Sequence, residues 1–178
     1  MRTLVNEEAW VHYGQIYVRS GDDFAELEEC FTAQANGLCG AAKPGHLFMI
    51  TGLHTGHVGF TAELHDAPPP VDDSWQEVVE VSFRPDGEAG LDCWGGERYW
   101  PLDLTDASYR VRYCATGMDE ARELDTRVIE DEDPEDGEDL AVDHYLLQFW
   151  PAPSGPDTVL RQTSEIAAYW HGWVREQA

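Results

Sequence analysis

A chain of 178 residues suits a single domain, long enough to bury a core without metal or disulfide staples. Hydrophobic residues make up 42% and aromatic residues 11%, which excludes a disordered chain, while 35 acidic against 11 basic residues give a formal net charge of −24. A surface of that sign repels nucleic acid and anionic membranes and attracts cations and basic proteins, so neither direct nucleic-acid binding nor membrane binding is expected.

The charge exceeds the magnitude of about 2–8 that keeps a small domain soluble. A highly charged proteome or a halophilic habitat would account for it, and so would a surface that recognises something positive. Lys43 is the one lysine against ten arginines, which points to a GC-rich genome of the actinobacterial type. The first residues, Met1 to Glu8, lack the apolar run of a signal peptide. No stretch approaches the roughly 18 apolar residues of a membrane span. Cys30, Cys39, Cys93 and Cys114 form no CxxC pair. They are expected to be reduced thiols packed as small hydrophobes in a cytoplasmic protein.

In chain order, residues 10–18 are rich in aromatic and β-branched types and read as a strand that stops at Ser20-Gly21. Residues 22–31 read as a short helix, capped by Asp22 or Asp23, with Phe24, Leu27 and Phe31 on one face. A loop of small residues spans 36–45. Strands at 46–51 and 57–65 follow, the second alternating Val58, Phe60, Ala62 and Leu64 against polar neighbours. The link from Gly52 to Gly56 suits a five-residue hairpin loop. Pro68, Pro69 and Pro70 end the second strand.

Further strands are predicted at 75–83, at 89–94 and at 109–115, with an edge strand at 99–104 because Pro101 cannot donate to a central ladder. Residues 118–142 break the pattern and read as an acidic loop. Glu130, Asp131, Glu132, Asp133, Glu135, Asp136, Glu138 and Asp139 fall within ten residues, a block that repels itself and cannot pack. A strand returns at 143–151, a turn at 153–156, and a C-terminal helical segment within 160–176 carries Ile166, Tyr169, Trp170 and Trp173 on one side. Seven or eight short strands without long helices between them predict a mainly β fold. The expected form is an antiparallel β-sandwich, jelly-roll or C2-like, with one or two short helices in one domain over 1–178.

Catalytic and metal motifs are weak. His46, His54, His57 and His65 fall within twenty residues, but His57 and His65 share a strand face about 26 Å apart. Only His54 and His57 are close enough at the turn to approach each other, and a tetrahedral metal site needs more ligands than that pair supplies. An EF-hand register begun at Asp131 puts Asp136 at the glycine position and Val142 at the final glutamate. There is no G-x-S-x-G, no H-E-x-x-H and no glycine-rich phosphate loop. The expectation is a protein that is not an enzyme and carries no cofactor and no metal. Trp94, Trp100, Trp170 and Trp173 are the tryptophans least tied to strand alternation and stand as candidate partner anchors.

Tyr13-Gly14-Gln15-Ile16-Tyr17-Val18 resembles the opening strand of the ComJ-like proteins. The order that follows is similar to theirs: a Gly/Ala-rich loop, two hydrophobic strands, the strand Val78 to Phe83, the short Leu102-Asp103-Leu104, Tyr109 to Cys114, and a last strand at Tyr145. The resemblance covers residues 10 to 150 and implies a small β protein that inhibits a competence-associated DNA nuclease. The chain departs from the pattern in the long acidic loop and after Pro151, and no individual functional residue is carried over.

Charge and resemblance together predict an acidic protein that inhibits or masks a basic partner, a nuclease or DNA-binding protein, by imitating DNA. The expected contacts are Asp22, Asp23, Glu26 and Glu28 with the run Glu130 to Asp139. The alternative is a calcium- or carbohydrate-binding β-sandwich, motivated by the acidic loop and the spare tryptophans.

Overall fold

The computed structural model describes residues 1–21, 23–128 and 141–177. These residues form twelve strands in two sheets and three α-helices. Strands β1 (Arg2–Val11), β5 (Thr55–Leu64), β11 (His144–Pro151), β9 (Tyr109–Thr116), β6 (Glu77–Phe83) and β12 (Thr158–Arg161) lie in that order in the larger sheet. The short β10 (Thr126–Arg127) pairs with β5 off this path. The smaller sheet runs β3 (Cys39–Gly40), β4 (His46–Ile50), β2 (Gln15–Ser20), β7 (Ala89–Asp92) and β8 (Tyr99–Pro101). The mainly β sandwich is therefore as expected, and β8 with Pro101 stands at an edge.

Most pairs are antiparallel, but β5 runs parallel to both β10 and β11. The long chain path between β5 and β11 allows this, since a parallel neighbour needs a crossover and not a tight turn.

Alternation decides which residues meet between the sheets. Val58, Phe60 and Ala62 of β5, Val111 and Tyr113 of β9, and Leu147 and Phe149 of β11 join Ile16 and Val18 of β2 and Leu47 and Met49 of β4 in one continuous core. All four cysteines are buried and unpaired. Burial pushes the thiols of Cys30 and Cys114 up to about 12 and that of Cys93 to about 11, and raises Cys39 too. None of them is a thiolate nucleophile at neutral pH.

Several local expectations are corrected. The predicted strand at 10–18 is the end of one strand and the start of another. Tyr13 and Gly14 both have positive φ (55° and 65°) and turn the chain from β1 into β2. The strands at 46–51 and 57–65 are not a hairpin but lie in opposite sheets. Gly52 and Leu53 of their link are buried and tied to the start of β11: the Gly52 N–H donates to Tyr145 Oη at 2.7 Å and the Leu53 N–H to Asp143 Oδ2, just before that strand, at 3.2 Å.

The first helix, α1 (Leu27–Phe31), begins later than expected. Glu26 caps it in a capping box with Glu29 in place of the expected Asp23, Asp22 lies outside the described residues, and Phe24 lies outside the helix and is exposed. The segment read wholly as loop contains α2 (Met118–Leu124) and β10. The third helix, α3 (Glu165–Gln177), follows the unforeseen strand β12. Among the described residues no helix is long and apolar enough to cross a membrane.

Candidate partner-binding surface

The distribution of charge begins with the bases. Arg112 donates from Nε and Nη2 to Glu80 Oε1 at 3.0 and 2.9 Å, and Arg110 lies 3.5 Å from the same carboxylate. Arg127 reaches Glu8 at 3.2 Å, Arg161 reaches Asp73 at 2.6 Å, and Arg19 pairs with the buried Asp92. Lys43–Glu29, Arg84–Asp106 and Arg98–Glu7 are further pairs. Eight of the eleven bases thus neutralise carboxylates of their own chain. Among the described residues Glu77, Asp92 and Asp143 are the buried carboxylates, and the rest are half-buried or exposed because the sandwich interior cannot solvate them.

Part of that surplus sits on three helices brought together around α3. Three groups hold the start of α3. Ser164 Oγ accepts the Ala167 N–H at 3.2 Å, as an N-cap does. Asp119 of α2 accepts the N–H groups of Glu165 and Ile166 at 2.9 and 3.0 Å. The fully buried Glu77 of β6 accepts the Ser164 N–H at 2.6 Å, together with the N–H and hydroxyl of Thr163. Negative groups suit the positive end of a helix dipole, which is why acids in this position hold the helix.

Farther along α3, the Gly37 N–H donates to His171 Nδ1 at 2.8 Å. A side chain at Gly37 would collide with the Trp170 carbonyl, its Cβ falling 2.1 Å from that oxygen. Ile166, Ala167, His171 and Val174 are buried, whereas Tyr169 is 60% exposed. Ile166, Tyr169 and Trp170 do line one groove, as the helical spacing predicts, but Tyr169 stands at its solvent-facing rim.

An aromatic row joins the helices. Phe31 of α1 meets Trp173 edge-on with centroids 6.2 Å apart, Trp173 meets Trp170 at 5.8 Å, and Trp170 meets Tyr169 at 5.3 Å. Exposed carboxylates on these neighbouring helices are Glu28 and Glu29 of α1, Glu120 and Glu123 of α2, and Glu165 and Glu176 of α3. Asp23 and Glu26, just before α1, are exposed as well. Of the residues singled out from sequence, Asp23, Glu26 and Glu28 are therefore solvent-facing. Asp22 and the run Glu130, Asp131, Glu132, Asp133, Glu135, Asp136, Glu138 and Asp139 lie outside the described residues.

The acids of α2 and Tyr169 were missed by sequence reasoning. A signal for α2 exists: Gly117 is followed by Met118-Asp119-Glu120-Ala121, good helix formers with acids in the first turn.

The histidines do not converge. The His46 ring lies between the carbonyls of Pro44 and Asp23, 2.9 Å from each. His65 bonds Glu63, His57 packs against Trp10, and His54 shares the Thr55 hydroxyl with His12. Among the described residues no three His, Cys, Asp or Glu side chains are placed to hold a metal ion. Trp94 joins His12, Tyr13 and His54 in an exposed ring cluster, and Trp100 lies under the Arg98 guanidinium. Two cavities of about 510 and 500 Å³ flank Trp75 on the outer face of the larger sheet. Polar side chains of the second bond within its wall, as Gln148 does to Glu63 and Arg112 to the Pro69 carbonyl.

A two-sheet sandwich with helices gathered at one side has solved counterparts. ComJ from Bacillus subtilis, an inhibitor of the DNA-degrading activity of NucA, superposes with a TM-score of 0.54 at 14% identity over 85% of this chain and 98% of that one. The product of crocagin biosynthetic gene J superposes with a TM-score of 0.50 at 12% identity, covering 84% and 99%. At such identities the likeness establishes a shared fold. No family model and no curated protein sequence matches the chain.

Proposed function

We propose that this protein binds a basic protein partner, such as a nuclease or DNA-binding protein, and masks its nucleic-acid surface. The observation that carries the reading is the internal pairing of eight of the eleven bases, which leaves the exposed charge dominated by carboxylates. The fold shared with ComJ supports it, since that protein inhibits DNA degradation. Duplex DNA presents about one negative charge per 1.7 Å of axis. Carboxylates fixed on packed helices offer a comparable array at little ordering cost. Binding through Asp23, Glu26, Glu28 and the neighbouring helical acids needs no catalytic group, cofactor or metal.

The test is affinity capture from the native lysate at about 50 mM salt, where the screening length exceeds the roughly 8 Å of physiological strength. A captured basic protein is then assayed for DNA degradation while this chain is titrated against it. Stoichiometric loss of degradation, restored as salt rises, is the expected result. Capture of no basic protein, or degradation indifferent to the added chain, would end the proposal.

A further inference from the structure

The strongest feature of the helical surface is not its charge alone but a groove of about 720 Å³ between α2 and α3. Asp119, Arg122, Glu123, Glu165, Tyr169 and Trp170 line it. Two of its acids are uncommitted: neither Glu123 nor Glu165 makes an ion pair among the described residues. Asp119 differs, because both of its oxygens already hold the start of α3. The other wall is aromatic. Tyr169, 60% exposed, stands edge-on to the half-buried Trp170 at 79°. An exposed tyrosine propped by a tryptophan resembles the anchor positions of protein interfaces, where both residue types are enriched.

We propose that this groove seats an arginine side chain of the basic partner. The inference rests on the reading above and names the contact. A guanidinium is planar, weakly hydrated and able to stack on a ring while its edge bonds carboxylates, which a lysine ammonium cannot do with the same geometry. The groove offers both surfaces: the Tyr169 ring for the face, Glu123 and Glu165 for the edge. The chain uses the same pairing internally, with Arg19 over Phe24 at 4.8 Å, Arg98 over Trp100 at 4.7 Å and Arg112 over Trp150 at 5.2 Å. Arg122 is a cation on the groove wall and opposes the incoming one. Its removal strengthens binding, an effect that a merely disrupted surface would not produce.

The experiment titrates the full chain with two blocked peptides of equal charge, one with three arginines spaced by glycine and one with three lysines, followed by tryptophan fluorescence. The arginine peptide binds about fivefold tighter, the size expected of one exposed cation–π contact. Tyr169→Ala removes that preference, Glu165→Gln weakens binding of both peptides, and Arg122→Gln tightens both. Tyr169 is exposed, so its truncation leaves the fold intact, and a melting curve verifies this. Equal binding of the two peptides by the parent chain overturns the groove as an arginine seat while the basic-partner reading stands. A preference that survives Tyr169→Ala does the same. Failure of both peptides to bind at low salt overturns the two proposals together.

Discussion

Acidification from pH 7 to 4 tests how α3 is held. His171 Nδ1 accepts the Gly37 N–H at 2.8 Å, so the neutral ring carries its proton on Nε2. The ring is 3% exposed, and burial is the main cause that pulls its pKa from 6.5 down to about 4, with Arg175 adding to the effect and Asp157 opposing it. A second proton on Nδ1 would face the Gly37 N–H directly, and Gly37 is pressed against the Trp170 carbonyl. The unfolded chain therefore takes up the proton near pH 6.5 and the folded chain only near 4. Stability from this group is full above 6.5 and is lost as pH falls toward 4. At about 1.4 kcal/mol per pH unit the loss approaches 3 kcal/mol over that window. Urea denaturation of the parent and of His171→Gln at each pH isolates the term, because the carboxylates are common to both. Glutamine keeps an acceptor for Gly37 and does not titrate. The advantage of the parent over the variant should shrink by about 2–3 kcal/mol between pH 6.5 and 4. A difference that stays flat across that range refutes the tautomer and its role.

Glu77→Ala strands the buried Ser164 N–H and removes two further bonds to Thr163, so it should cost about 3–5 kcal/mol and lower the melting temperature by about 10 °C. An unchanged calorimetric transition would mean that Asp119 and Ser164 hold α3 without it. Asp143 behaves oppositely to His171: burial raises its pKa, against the bonds from Tyr145 and Leu53. Its folded form prefers the proton, so its contribution declines as pH rises from 3.8 through its higher folded value. The stability of the parent relative to Asp143→Asn should improve as pH falls, and a gap that moves the other way would contradict the assignment. The four buried thiols should react with a thiol reagent at pH 8 no faster than the chain unfolds. Immediate labelling of any one of them would show it to be accessible.

The sandwich was legible because alternation is a local property. Val58, Phe60, Ala62 and Leu64 lie on one face in any register, and Tyr109, Val111, Tyr113 and Ala115 do likewise. Strand boundaries were less legible. Arg2–Val11 carries Asn6, Glu7 and Glu8 in its middle and reads as polar chain until β5 pairs with it. The helix α2 was hidden by the same charge that marks the segment after it, since a count of acids over 118–142 averages a packed helix with its neighbours.

By itself the sequence determined the mainly β class, the excess of carboxylates and the burial of four thiols, because composition and two-residue periodicity act within a few neighbouring residues. Tertiary structure decided which carboxylates matter. Glu77 and Asp119 became clamps on α3, eight bases became internal partners, and Glu123 came to share one groove with Glu165 and Tyr169, more than forty positions further along the chain. A charge or an aromatic ring acquires its role from the groups that packing sets beside it, and those neighbours are distant in sequence.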